Sequence, residues 1–238
     1  IVAAIAQRPV QSILIEGLKR LEYRGYDSAG IAMLNDHDIE CTRAQGKVAG
    51  LEALLTDSLA HQGIAHTRWA THGIPSVRNA HPHQSGRFVV VHNGIIENFE
   101  ALKGELIAHG FVFESDTDTE TIAHLLHCVS RSTDSFDDIV RTVIRRLEGA
   151  FALAILDEHT PGVIWVARQG SPMVIGVGHG EYFVGSDQLA LLHVTDRFIY
   201  LEEGDTARLT AKTLEIFNAE SEVVTRAVVR ASASSEQV

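Results

Sequence analysis

Short apolar segments recur along most of the chain, and many of them are joined by brief turns that contain glycine or proline. Parallel strands need a crossover of roughly a dozen residues, so such short connections favour antiparallel pairing. Several segments are apolar throughout, which is typical of strands that are covered on both faces. We therefore expect stacked, mainly antiparallel sheets built from residues 1–6, 29–34, 39–45, 63–69, 87–92, 151–157, 163–168, 173–177, 182–185 and 198–202.

Other segments carry apolar residues at every third or fourth position, which is the spacing of an amphipathic helix. They span residues 10–21, 48–59, 97–109, 119–130 and 135–147. Each apolar stripe must pack against another element, so the expected fold class is α+β, with helices outside the stacked sheets. We expect one domain over residues 1–230, because no domain boundary is visible within them. Residues 231–238 have the composition of a frayed end or the start of a linker.

The bulk composition argues against several classes of protein. With 45% hydrophobic and 21% charged residues, the chain has an ordinary globular composition. Its net charge is −11 and it has no run of lysine and arginine, so we expect no nucleic-acid binding. Cys41 and Cys128 lack C-x-x-C spacing, which indicates free thiols in a reducing compartment. Because no apolar run approaches the length of a membrane span, we expect a soluble, cytoplasmic protein without a membrane partner.

Polar functional groups are concentrated in four segments at predicted strand ends and loops, where sites are usually built. Alone, the first segment can be a helix end with an ion pair, the third an Asn-Gly turn and the fourth an acidic helix N-terminus. A single histidine in any of them is more often structural than catalytic. The segments are YRGYDS at 23–28, HTRWATHG at 66–73 with NAHPH at 79–83, VHNGII at 91–96 and SDTDTE at 115–120.

Together these segments supply what an enzyme needs to bind an amino acid and attack its side-chain amide. Arg68 can hold a carboxylate through two hydrogen bonds, and Asp118 can hold an ammonium group. The Asn93 side-chain amide and the Gly94 backbone N–H can both donate to a developing oxyanion, since glycine permits close approach. The combination predicts a site for a free α-amino acid that carries a side-chain amide.

In this order and spacing, the segments resemble class II (N-terminal nucleophile) glutamine amidotransferases, in particular the glutaminase domains of glucosamine-6-phosphate synthases. The resemblance covers residues 1 to about 217. It rests mainly on YRGYDSAG at 23–30, RWATHG at 68–73, NAHPH at 79–83, GSDQLAL at 185–191 and EEGD at 202–205. It implies a four-layer αββα sandwich of the N-terminal nucleophile hydrolase type over residues 1–230.

The same resemblance implies a role for each matching residue. Arg68 and Asp118 bind the α-carboxylate and the α-amine of glutamine. Asn93 and Gly94 form the oxyanion hole. The residues that line and support the catalytic centre are Arg24 and Gly25, and those that shape the substrate pocket are Trp69, Thr71, His72 and His81. The resemblance implies no metal ion and no cofactor.

The nucleophile of that family is an N-terminal cysteine, followed by glycine, whose own α-amino group acts as the base. Such an amine titrates at about 7.7–8.0 and a thiol at about 8.5, so the proton transfer is feasible near neutral pH. The run IVAAIA at 1–6 resembles what directly follows this Cys-Gly pair. We therefore expect the pair immediately upstream of Ile1, and we expect residues 1–238 alone not to hydrolyse glutamine.

Partners are implied by the resemblance as well. L-Glutamine is the substrate and L-glutamate is released. The ammonia passes to sugar-isomerase domains, which bind fructose 6-phosphate in a homodimeric full-length enzyme. Residues 1–238 carry no sequence of those domains, so we expect the glutaminase half alone.

Two other interpretations stay open at this point. A catalytically silent glutamine-sensing domain would keep the same pocket without the nucleophile. A metal hydrolase would use some of the 13 histidines, several of which fall between residues 66 and 92, although no H-E-x-x-H or comparable ligand spacing is present.

Overall fold

Two antiparallel sheets lie face to face at the centre of the protein. The computed structural model describes residues 1–70 and 73–231. Its strands are β1 (Val2–Ala6), β2 (Ser28–Asn35), β3 (Asp38–Gln45), β4 (Gln62–Arg68), β5 (His83–Ser85), β6 (Phe88–Ile96), β7 (Gly149–Asp157), β8 (Ile164–Gln169), β9 (Val174–Val177), β10 (Glu181–Gly185), β11 (Arg197–Tyr200), β12 (Thr206–Leu209), β13 (Leu214–Phe217), β14 (Val223–Val224) and β15 (Val229–Arg230). One sheet has the order β15-β11-β9-β10-β1-β4-β2-β3, and the other has the order β14-β13-β12-β8-β7-β6-β5. Neighbouring strands run antiparallel in both sheets, as the short connections predict.

Helices cover the outer face of each sheet. They are α1 (Gln11–Leu21), α2 (Val48–Glu52), α3 (Phe99–Ala108), α4 (Thr119–Ser130) and α5 (Phe136–Arg146), with short 3₁₀ helices at Glu22–Arg24, Val77–Asn79 and Gln188–Ala190. α1 and α2 pack on the first sheet through an apolar cluster that includes Leu18 and Leu51. α3, α4 and α5 pack on the second sheet through a cluster that includes Leu106, Ile122 and Val140.

A third apolar cluster fills the space between the two sheets. It includes Ile64 of β4 and Ile175 of β9 from the first sheet, and Val91 of β6 and Ala154 of β7 from the second. The layers therefore run helix, sheet, sheet, helix. This arrangement confirms the expected α+β fold with four αββα layers.

Local signals define α5 well. Ser135 precedes the helix and its side chain accepts a hydrogen bond from the Asp138 N–H at 3.3 Å, which satisfies one of the free donors of the first turn. Arg145 and Arg146 occupy the last turn, where positive charge suits the helix dipole. Within residues 1–70 and 73–231, no helix is long and apolar enough to cross a membrane.

The helix predicted over residues 48–59 is wrong in length, because α2 ends at Glu52. Val48 and Leu51 are buried against the first sheet, whereas Leu54 and Leu59 are 61% and 78% exposed. Beyond Leu55 the apolar residues of this segment do not pack on the sheet, and a short helix without such packing is unstable in water.

Candidate active site

One end of the layer between the sheets is polar and opens into a cavity of about 230 Å³. Ile64 of β4 belongs to the apolar core between the sheets, and side-chain alternation places His66 and Arg68 on the same face. Val91 of β6 belongs to the same core, and Asn93 follows two residues later. The two strands therefore bring His66, Arg68 and Asn93 to one end of the inter-sheet layer.

Most of the residues that the sequence analysis assigned to a site line this cavity. Those that do are Arg24, Gly25, Arg68, Trp69, His81, Asn93, Gly94 and Asp118. The other lining residues are Ile1, Leu21, His66, Thr67, His92, Thr117, Thr119 and Ser186. Thr71 and His72 lie outside the described residues.

Arg68 is a buried cation held in a fixed orientation. Its side chain is 4% exposed and lies 3.5 Å from the Asp27 carboxylate, measured from Nη1 to Oδ1. Nη2 donates to the Gly73 carbonyl at 3.1 Å and Nη1 donates to the Ile74 carbonyl at 3.3 Å. Burial of an unpaired charge is costly, and these contacts offset that cost for the Arg68 guanidinium in the cavity wall.

Asp118 is a buried anion that directly precedes α4. Its Oδ2 accepts a hydrogen bond from the Ile96 N–H at 2.8 Å, and its Oδ1 lies 3.8 Å from His92 Nδ1. The N-terminus of α4 adds a favourable dipole for a carboxylate. Asp118 and Arg68 thus place opposite charges on the wall of one cavity, one beside each sheet.

Asn93 and Gly94 lie near the end of β6, where the strand borders the cavity. Gly94 has φ +111°, and a Cβ at this position would overlap the Ala150 carbonyl oxygen of β7. Only glycine is therefore compatible with this backbone. The Asn93 side chain lies between the sheets, with Oδ1 2.8 Å from His66 Nε2.

Arg24 and Gly25 close the cavity from the first sheet. Arg24 Nε donates to the Tyr23 hydroxyl at 2.9 Å, and its Nη2 pairs with the Asp187 carboxylate. Gly25 has φ +94°, and a Cβ there would overlap the six-membered ring of Trp69. The indole thus packs directly on a backbone that has no side chain, although Trp69 remains 69% exposed.

Gly25→Ala is expected to destabilise the fold more than Gly46→Ala. Both glycines have left-handed φ values, but nothing lies within 4 Å of a Cβ at Gly46. Placing alanine at a left-handed φ costs about 1–2 kcal/mol, and this cost is common to both variants. Overlap with Trp69 adds about 1–3 kcal/mol at Gly25 only. Urea denaturation measures the loss in free energy of unfolding for both variants. In a Trp69→Ala background the extra loss at Gly25 should vanish. If the extra loss persists there, contact with Trp69 is not its cause.

The family of the chain follows from comparison with known proteins. The glutamine amidotransferase domain profile matches residues 66–193, more than half of the 238 residues. The chain belongs to the glutamine amidotransferase domain family. It is 56% identical over 219 residues to the glutamine–fructose-6-phosphate aminotransferase (isomerizing) of Acinetobacter baylyi, and 54% identical over 221 residues to that of Haemophilus influenzae. These matches cover 91% and 92% of this chain, but the chain spans only 36% of each relative.

A solved structure shares the fold of this amidotransferase domain. The glutamine phosphoribosylpyrophosphate (PRPP) amidotransferase from B. subtilis superposes with a TM-score of 0.79 at 24% sequence identity. The match covers 93% of this chain and 49% of that one. It supports the assignment of the two stacked sheets and their covering helices to one known architecture.

A layer of stacked, buried histidines borders the cavity of this amidotransferase domain. The His66 and His81 rings stack at 4.1 Å between centroids with 10° between their planes, and His83 contacts His81 edge-on at 5.1 Å. Of these three histidines, only His81 was predicted from the sequence to have a role, and His66 was not. The available signal was strand alternation, because residues 64, 66 and 68 share one face of β4.

Burial keeps these rings uncharged. It lowers the pKa of His66 and of His81 well below the ordinary value, and for His81 the neighbouring His66 adds to the shift. Burial, with Arg43 nearby, lowers the pKa of His83 to about 3. The histidine layer is therefore neutral at physiological pH, and its nitrogens act as hydrogen-bonding groups.

Several nitrogens of the layer have protein partners. His83 Nε2 lies 2.9 Å from Thr117 Oγ1, and His81 Nδ1 accepts a hydrogen bond from the His92 backbone N–H at 3.3 Å. Among the residues that the structure describes, no group of three or more histidine, cysteine, aspartate or glutamate side chains is arranged to hold a metal ion. Stacked rings with such contacts favour a hydrogen-bonding role over the metal hydrolase interpretation.

Proposed function

We propose that this chain is the glutaminase part of a glutamine–fructose-6-phosphate aminotransferase and that it hydrolyses L-glutamine to L-glutamate and ammonia. The observation that carries the proposal is one cavity that combines a buried cation, Arg68, a buried anion, Asp118, and the Asn93-Gly94 pair. The relatives from Acinetobacter baylyi and Haemophilus influenzae, which are named for the use of glutamine, support the reaction.

In the proposed complex, the charged groups bind the amino-acid end of glutamine. Arg68 holds the α-carboxylate and Asp118 holds the α-ammonium group, so that the side-chain amide extends toward Asn93. Trp69 and His81 border the substrate, and Arg24 with Gly25 supports the wall beside the reacting amide. Pre-oriented charges of opposite sign select a zwitterionic amino acid and fix its direction in the cavity.

The position of Ile1 supports a nucleophile that enters the cavity from the N-terminal side. Ile1 lines it, and the buried Ile1 nitrogen donates to Ser186 Oγ at 3.0 Å. A dipeptide joined to this nitrogen reaches at most about 7 Å, so its first residue would stay close to the cavity. We propose that a Cys-Gly pair precedes Ile1 and that the cysteine is the nucleophile.

The proposed reaction has two stages. The cysteine α-amine takes the thiol proton, the thiolate attacks the amide carbon, and the Asn93 amide with the Gly94 N–H stabilises the oxyanion. The protonated amine then gives its proton to the departing ammonia, which leaves a thioester. Water attacks the thioester by the same route, releases glutamate and restores the thiol.

A comparison of three proteins tests the proposal: residues 1–238 preceded by Cys-Gly, preceded by Ala-Gly, and starting at Ile1. Only the Cys-Gly protein is expected to release glutamate and ammonia, while all three bind L-glutamate. A folded Cys-Gly protein that binds glutamate without turning over glutamine contradicts the enzyme and supports a sensing domain. Turnover by the protein that starts at Ile1 contradicts the nucleophile assignment.

The proposal extends to the full-length enzyme and its cellular compartment. In the full-length enzyme we propose that ammonia reaches sugar-isomerase domains that bind fructose 6-phosphate, and that the enzyme is a homodimer. The relatives, of which this chain spans 36%, support the use of fructose 6-phosphate by their name. Free thiols at Cys41 and Cys128 support a reducing, cytoplasmic compartment.

A further inference from the structure

We infer that His66 is a positioning residue that decides which end of the Asn93 side-chain amide faces the cavity. The inference rests on the proposed function, because it concerns the donor that Asn93 offers to the oxyanion. It assigns His66 a role through Asn93, without contact to glutamine.

The two side chains meet across the layer between the sheets. His66 is on the inner face of β4 and Asn93 is on the facing side of β6, and both line the cavity. His66 Nε2 and Asn93 Oδ1 are 2.8 Å apart. With its oxygen held toward His66, the amide presents its NH₂ group on the opposite side, where it can donate to an oxyanion.

The reverse orientation of the amide would oppose the reaction. If Asn93 Nδ2 faced His66, the carbonyl oxygen would occupy the donor position and would repel the developing negative charge. The two orientations have almost the same shape, so packing alone distinguishes them poorly. A hydrogen-bond donor at His66 Nε2 distinguishes them, because it can donate only to the carbonyl end of the amide.

The surroundings of His66 favour the tautomer that has its proton on Nε2. The ring is buried, and Nδ1 has no hydrogen-bond partner among the described residues. A proton on Nδ1 would therefore lack a partner with good hydrogen-bond geometry, which costs more than a lone pair without a donor. A proton on Nε2 is satisfied by Asn93, and burial disfavours the charged ring with both protons.

His81 holds the ring in this position. It stacks on His66 at 4.1 Å, and its own Nδ1 is occupied by the His92 backbone N–H. The His66 ring plane is thus fixed from one side by His81 and its edge is fixed by Asn93. The arrangement predicts an effect of His66 on the chemical step and little effect on glutamine binding.

Two substitutions of similar length separate the donor from the packing. In the full-length enzyme with its N-terminal cysteine, His66→Gln keeps an N–H donor near Asn93, whereas His66→Met fills similar space without one. We expect H66M to lower kcat by about 10- to 100-fold with KM for glutamine within about 3-fold, and H66Q to recover most of kcat. The loss should not exceed that of Asn93→Ala, which removes an oxyanion donor and costs about 10²- to 10³-fold.

A double-substitution cycle tests whether His66 acts through Asn93. In an Asn93→Ala background, H66M should change kcat by less than about 3-fold. The inference would be overturned if H66M lowered kcat by the same factor with and without Asn93→Ala. It would also be overturned by equal losses of kcat in H66M and H66Q, or by a change confined to KM. An inactive wild-type enzyme would instead contradict the proposed function. If H66M does not fold, ¹⁵N NMR of the wild type decides: a proton on Nε2 supports the inference, and a proton on Nδ1 overturns it.

Discussion

Asp118→Asn is expected to weaken binding of L-glutamate by about 30- to 5,000-fold, which corresponds to about 2–5 kcal/mol. The substitution keeps an oxygen that can accept the Ile96 N–H, so the start of α4 should stay in place. What it removes is the negative charge of a buried carboxylate that we propose faces the ligand ammonium. Isothermal titration calorimetry on residues 1–238 measures this without any need for the nucleophile.

Two controls make the Asp118 result specific. Asp116→Asn makes the same chemical change two residues away, at an exposed carboxylate paired with Arg78, and should change the affinity by less than about 2-fold. Glutarate lacks the α-amino group, so its affinity should not fall in the Asp118→Asn protein. Equal binding of glutamate by the wild type and by Asp118→Asn would remove Asp118 from the substrate site.

The residues of this site differ in how far the sequence predicts them. Arg68 and Asn93 stand at the ends of apolar strands, where their residue types already suggest a site. Asp118 precedes a separate helix. It lines the same cavity as Arg68 only because α4 packs on the second sheet. The contact of His66 with Asn93 depends on how the two sheets are placed against each other, which no local pattern encodes.

The fold shows the same limit. Strand and helix periodicity predicts the four layers, because each apolar face needs a partner surface. It does not predict where a helix loses that surface, as α2 does after Glu52. It also misses short strands such as β12, where only Ala207 and Leu209 are buried and the alternation is too brief to recognise.

Acid is expected to unfold this domain at a pH between about 3 and 5, because the buried histidines resist protonation. In the unfolded chain a histidine has a pKa of about 6.5. In the folded protein the pKa of His83 is about 3, and those of His66 and His81 are also far below the ordinary value. Below pH 6.5 the unfolded state therefore binds protons that the folded state does not, so stability is lost as the pH falls from 6.5 toward the folded pKa values.

The size of the effect makes it measurable by urea denaturation between pH 7 and pH 5. Each proton bound only by the unfolded state costs about 1.4 kcal/mol per pH unit, so three histidines cost about 4 kcal/mol per unit. Typical domains have only about 5–15 kcal/mol of stability, which places the transition between about pH 5 and pH 3. His83→Gln keeps a polar contact with Thr117 and should reduce the slope by about one third.

A matched substitution separates this mechanism from general acid sensitivity. His37 is exposed between β2 and β3, so His37→Gln removes a histidine without removing a buried one and should leave the slope unchanged. If His83→Gln and the wild type lose stability with the same slope, the histidine layer is not the cause of the acid transition. A reduced slope in His83→Gln alone would show that the neutral imidazoles beside the cavity set the acid limit of the fold.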